Sequence, residues 1–213
     1  LGRTGILPPD PKYDPTVKKE RLIENAEMAL EETLARLNSV KHADAKEATS
    51  ENDFLDGKGS NLLTIAEVDD LFGIGMWRAI IRFVIEQGEK LRSIDDGSQG
   101  EQNDETSCAD KLVLPSISFP GQTSALFLKE ADSRAIDLKA EGHRLESGKE
   151  DWPDAYRYTP SDPEEHRYFV VAYRCVDGVI RFQVMWGCLM GLSGVVASFN
   201  RKPIVHVAVR SRW

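Results

Sequence analysis

Cysteine is scarce in this chain, and long hydrophobic runs are missing altogether. The three cysteines, Cys108, Cys175 and Cys188, form no C-x-x-C pair and share no zinc-like spacing with histidine. An odd, dispersed set argues against a disulfide framework and against a structural metal site. Reduced thiols in a cytoplasmic or nuclear setting are the expectation. No apolar stretch approaches the roughly 18–20 residues that span a bilayer, so no membrane partner is expected. The opening Leu1–Pro9 segment lacks the apolar core of a secretory signal. It starts on Leu1 and not on Met, which leaves room for a removed segment before it.

Catalytic and nucleotide-binding signatures are missing too. The chain has no G-x-S-x-G, no P-loop and no G-x-G-x-x-G, and Gly73-Ile74-Gly75 lacks the third glycine. His42, His143, His166 and His206 are scattered, with no H-E-x-x-H or H-x-x-x-H. No catalytic residue can be named from such a set, no cofactor is expected, and whether the chain is an enzyme stays open. Asp56–Glu67 has the length of a calcium-binding loop, but Lys58 stands at the third ligand position and Asn61 where the turn needs glycine. A loop leading into a helix cap explains it better. Gly187, Gly191 and Gly194 mark a bend or close packing, not a phosphate cradle.

What is present is ordinary in amount and uneven in placement. The 213 residues are 41% hydrophobic and 29% charged, enough for a sizeable core. The net charge of −8 hides a split: residues 166–213 carry seven basic groups against one acid, a balance of +6, while the first 165 residues carry −14. Such asymmetry bears on partners, and not on fold. Its plainer reading is that the acidic part neutralises the basic part within one molecule.

The pattern along the chain predicts an α+β fold, with N-terminal helices packed on a C-terminal, mainly antiparallel sheet, flat or curved. Residues 1–16, with Pro8-Pro9, Asp10-Pro11 and Asp14-Pro15, read as an extended arm. Residues 17–92 read as helical. Ile23, Ala26, Leu30, Leu34 and Leu37 recur at helical spacing, with Glu32 and Arg36 paired four apart. Residues 41–61 read as loop. Thr64-Ile65-Ala66-Glu67 is a capping box, with Leu63 and Val68 as a hydrophobic staple. A break is expected at Gly73–Gly75, then a central core helix over 76–85 ending at Gly88. Residues 93–110, acidic and poor in apolar side chains, read as a mobile linker. Residues 111–213 read as β-rich and as one compact unit with 64–92. Strand candidates are Lys111–Phe119, Ser124–Lys129, Val195–Phe199 and Ile204–Val209, with 131–165 ambiguous.

The clearest β signal is residues 167–186, a hairpin turning at Asp177-Gly178. A two-residue loop would set Cys175 opposite Ile180, Arg174 opposite Arg181 and Tyr173 opposite Phe182. Phe169, Val171, Tyr173, Cys175, Ile180, Phe182, Val184 and Trp186 would then form an uncharged core face. Arg174 and Arg181 would lie side by side on the other. Like charges so placed repel, so they need water, an acidic neighbour or an anion.

These residues support three functional readings. The first is a non-catalytic binding module, or a subunit of a homo- or hetero-oligomer, that meets an acidic protein or anionic ligand through Arg174, Arg181, Lys202, His206 and Arg210. The second is a small-molecule enzyme or carrier with a pocket between the core helix and a curved sheet, where Tyr173 and Trp186 join Arg181 and His206. The third is a nucleic-acid-binding domain; the expected register disfavours it, because the aromatic rings fall on the core face and not beside the arginines.

Overall fold

The computed structural model describes residues 8–111, 119–138, 140, 142 and 154–200. The chain divides into two units, Leu1–Leu112 with Asp154–Trp213, and Val113–Pro153. The first is α+β. Its helices are α1 (Arg21–Glu24), α2 (Ala26–Arg36), α3 (Ala43–Leu55) and α4 (Ile65–Phe72). Its strands are β1 (Ala79–Gln87), β2 (Lys90–Asp95), β3 (Val170–Arg174) and β4 (Ile180–Val184), with a 3-10 helix over Pro163–Tyr168. A last helix covers residues 193–200. In the second unit Phe119–Ser133 is helical, so the strand expected at Ser124–Lys129 is a helix.

The strands form one open mixed sheet in the order β2-β1-β3-β4, antiparallel except where β1 runs parallel to β3. The sheet is therefore not C-terminal, as the sequence suggested, but draws half of its strands from the region read as helical. Both faces are covered. Val170, Ala172, Phe182 and Val184 pack with Trp77, Leu63 and Val68 and with Leu30 and Leu34 of α2. Ile80, Val171, Tyr173 and Met185 pack on the other face with Leu189, Leu192 and Val195.

Local chemistry explains where the helices begin and end. The Thr64 hydroxyl accepts from the Glu67 backbone N–H at 3.3 Å, and the Thr64 N–H donates to the Glu67 carboxylate at 2.7 Å. Leu63 and Val68, the staple, are both buried in the first core cluster. The helix stops at Gly73, whose φ of +91° admits no ordinary side chain. The expected break thus occurs, but the chain continues as β1 and not as a helix. Ile80, Ile81, Val84 and Ile85 are β-branched and favour extended backbone. Because β1 starts buried on both faces, it reads as a continuous apolar run, which periodicity cannot separate from a helix. Gly88, with φ +62°, is not a helix stop but the first residue of the two-residue turn between Gln87 and Lys90.

The 167–186 hairpin forms, one residue out of the expected register. Cys175 pairs with Val179 through a 2.8 Å backbone bond, and the Gly178 N–H closes the turn on the Cys175 carbonyl. The loop has three residues, Val176 to Gly178, and Gly178 takes the left-handed conformation at φ +79°. Tyr173 consequently faces Arg181, and Arg174 faces Ile180. The slip moves Phe182 and Val184 off the face that holds Val171 and Tyr173. It also places Arg174 and Arg181 on opposite sides of the sheet.

Other segments also differ from expectation. The supposed loop 41–61 contains α3, whose inward residues Ala43, Lys46, Ser50 and Asp53 keep helical spacing but are mostly polar. The supposed mobile linker 93–110 packs into the molecule, with Asp95, Gln102, Ala109 and Asp110 all buried. The proline-rich arm pairs with it: Asp10 N–H donates to the Ala109 carbonyl and Lys111 N–H to the Pro8 carbonyl. Val195–Phe199 lies within the 193–200 helix and is not a strand. The strand candidates at 111–119 and 204–209 fall outside the described residues, but for Lys111 and Phe119.

Candidate functional site

Two features of the first unit bear on function: a sealed cluster of charge beneath the sheet, and an open cleft. The cluster is built on Arg82, which stands between Ile81 and Phe83 in β1 and is fully buried. Its Nε donates to Asp95 Oδ1 at 2.8 Å, its Nη1 to Ser50 Oγ at 2.8 Å and its Nη2 to Asp53 Oδ2 at 3.3 Å. Arg157 reaches the other oxygen of Asp95 at 2.6 Å. Gln183 closes the group, donating to the carbonyls of Ser50 at 2.8 Å and Ser60 at 2.9 Å.

This arrangement explains the polar inner face of α3, which meets ions and not oil. Burial alone would raise the Asp95 carboxyl; the guanidiniums of Arg157 and Arg82 outweigh it and hold the group below the usual carboxylate range. The bend after β4 fits against the same pair. A Cβ on Gly187 would overlap the Arg157 carbonyl, and one on Gly191 would overlap the Asp95 carbonyl. The glycines thus serve close packing, as their spacing suggested. Chemically the cluster is a clamp: two cations and two anions join α3, β1, β2 and the 154–158 segment without meeting solvent.

Another buried cation, Lys58, bonds Asp56 and Asp154 at 2.9 Å each and lies 4.3 Å from the centre of the Tyr158 ring. The two carboxylates raise its pKa against the effect of burial. Among the described residues no group of three or more His, Cys, Asp or Glu could hold a metal ion. No described helix is long and apolar enough to cross a membrane.

The cleft has a volume of about 510 Å³. Its walls come from four stretches: residues 17–22, 102–107, 159–169 and 188–198. Leu22, Tyr168, Phe169, Leu192 and Val195 give it an apolar lining, and the hydroxyl residues Thr106, Ser107, Thr159, Ser161 and Ser198 stand among them. Lys19 bonds Glu165 at 3.2 Å, linking the stretch before α1 to the 3-10 helix. Burial lowers the Lys19 pKa and Glu165 more than restores it, leaving it raised.

Of the binding and pocket candidates read from sequence, the four among the described residues, Arg174, Arg181, Tyr173 and Trp186, do not line this cleft. Arg174 donates through Nε to the Leu37 carbonyl at 2.6 Å, and through Nη1 to the Gly178 carbonyl. Arg181 bonds Asp177 at 3.3 Å and stays partly exposed. Tyr173 is fully buried, with Lys46 Nζ 5.9 Å from its ring centre, and burial pushes its phenol up to about 12. Trp186 is 40% exposed. Lys202, His206 and Arg210 lie outside the described residues. Sequence reasoning missed Arg82, Asp95, Arg157 and Asp53. The available signal was Arg82 itself, a charge inside a β-branched run. Compared with known proteins, the chain matches no family model, no curated protein and no solved structure.

Proposed function

We propose that this chain is a binding protein that takes a small amphipathic ligand in the cleft between residues 17–22, 102–107, 159–169 and 188–198. The observation that carries the reading is the cleft itself, about 510 Å³, lined by apolar side chains with hydroxyl and charged groups among them. Ligand sites are typically concavities of roughly 300–1,000 Å³ with this mixture of apolar surface and a few polar groups. The reading keeps the binding role expected from sequence and moves its site away from the sheet. Arg174 is committed to its own backbone, which leaves Arg181 as the described residue on which an acidic partner would depend.

The experiment is a fragment screen by ligand-observed NMR on the wild type and on Ser198→Trp. Ser198 is half-buried and lines the cleft, so an indole there fills it without entering the core. Fragments that bind the wild type and lose binding to a folded Ser198→Trp support the site. Fragments bound equally by both proteins would place binding elsewhere.

A further inference from the structure

We infer that the ligand of this cleft is an amine, carrying a positive charge beside a flat apolar body. The inference rests on reading the cleft as a binding site and adds the ligand's chemistry. Four carboxylates line the cleft, on Glu20, Glu105, Asp162 and Glu165, against two ammonium groups, on Lys18 and Lys19. Lys19 holds Glu165 at 3.2 Å, and Arg21 lies 3.7 Å from Glu105. Asp162 accepts from the Glu164 backbone N–H at 3.0 Å, a bond that caps the 3-10 helix and leaves its charge in place. Among the described residues no cation lies within ion-pair distance of Glu20.

The excess negative charge stands beside aromatic rings. Tyr168 and Phe169 both line the cleft, and an aromatic face attracts a cation within about 6 Å of its centre. The field of Glu20 reaches this lining: the Tyr168 phenol is raised first by burial and next by that carboxylate, with Lys19 and Arg167 acting against them. An ammonium would be drawn by the carboxylates and the ring faces together. A carboxylate or phosphate would be repelled by the same groups, and a neutral ligand would gain only its apolar burial. The volume suits a bicyclic body with a short arm.

The test compares three probes of one shape: tryptamine, indole and indole-3-acetate. Each is titrated by calorimetry or NMR into the full chain at low salt. Tryptamine is expected to bind about tenfold or more tighter than indole-3-acetate, and to weaken as salt is raised. Glu20→Gln, which breaks no ion pair among the described residues, should weaken tryptamine and narrow its advantage over indole. Ser198→Trp should remove all three. Should indole-3-acetate match or exceed tryptamine, the charge inference is overturned and the cleft stands. Should the probes not bind, or bind Ser198→Trp undiminished, the cleft reading falls and takes the inference with it.

Discussion

Arg82 and Asp95 are partners twice over: they are paired residues of the β1–β2 ladder, and their side chains meet at 2.8 Å with no exposure to water. Moving two charges out of water costs several kcal/mol each, and their attraction offsets this only when both are present. Removing either partner alone should therefore be severe. Asp95→Asn is expected to cost about 3–5 kcal/mol in denaturant unfolding, since it leaves Arg82 and Arg157 to share Asp53. A loss below about 1 kcal/mol, the size of an ordinary surface change, would show that the cluster is not what holds α3 on the sheet.

The same carboxylate sets an acid limit. The folded-state pKa of Asp95 is depressed below its unfolded value near 3.9, so its stabilisation is present above that value and is lost as pH falls through the lower folded one. The Asp95 contribution should be lost below about pH 4, so the fall in stability there should be shallower in Asp95→Asn than in the wild type. Equal slopes in the two proteins would exclude Asp95 as the titrating group.

Gly187→Ala should destabilise by pushing the Arg157 backbone away from Asp95. The effect should be coupled to the ion pair. In a cycle with Arg157→Met, the double mutant should lose less than the sum of the single losses by about 0.5–3 kcal/mol. Strict additivity would mean that the close approach and the pair are independent.

Replacing residues 97–108 with a Gly/Ser linker is expected to abolish folding. The buried Arg78 guanidinium draws on the Gly100 carbonyl and on Glu101, and Gln102 Nε2 bonds the Tyr168 carbonyl at 3.2 Å. Arg78 would keep the Leu22 carbonyl and Asn25 Oδ1 but lose its carboxylate partner, and breaking a buried pair from one side costs about 3–5 kcal/mol. A cooperative melt near the wild-type temperature would restore the view of this stretch as a dispensable linker.

The hairpin register separates two arginines that composition makes look alike. Arg174→Gln should cost about 1–3 kcal/mol, because it loses charged hydrogen bonds to the Leu37 and Gly178 carbonyls. Arg181→Gln should fall within about 0.5 kcal/mol of wild type, since its pair with Asp177 is exposed. Equal effects in chemical unfolding would contradict the observed register.

What sequence disclosed came from local rules. The capping box at Thr64, the glycine break at Gly73 and the turn at Gly178 need only a few neighbouring residues, and all three occur. What it concealed depended on distant partners. A two-residue loop at Asp177-Gly178 is the better turn in isolation, but the three-residue loop puts Phe182 beside Ala172, where it packs edge-on against Trp77 with ring centres 5.4 Å apart. The helix α3 leaves no apolar periodicity in the sequence, because its buried face carries Lys46, Ser50 and Asp53. The cleft was hidden for a related reason: its walls come from four stretches that no spacing rule connects.

The parallel pairing of Ala79, Ile80 and Ile81 with Val170, Val171 and Ala172 also has a kinetic consequence. Closing it must wait until β3 has left the ribosome, and contacts so far apart in sequence slow folding. Until then the β1–β2 hairpin exists with one open edge, and Arg82 lacks both Arg157 beside it and Gln183 above it. An emerging chain therefore holds one edge of β1 open, a site for wrong pairing, until β3 follows. Translation rate, more than equilibrium stability, should govern how much of this protein is recovered folded.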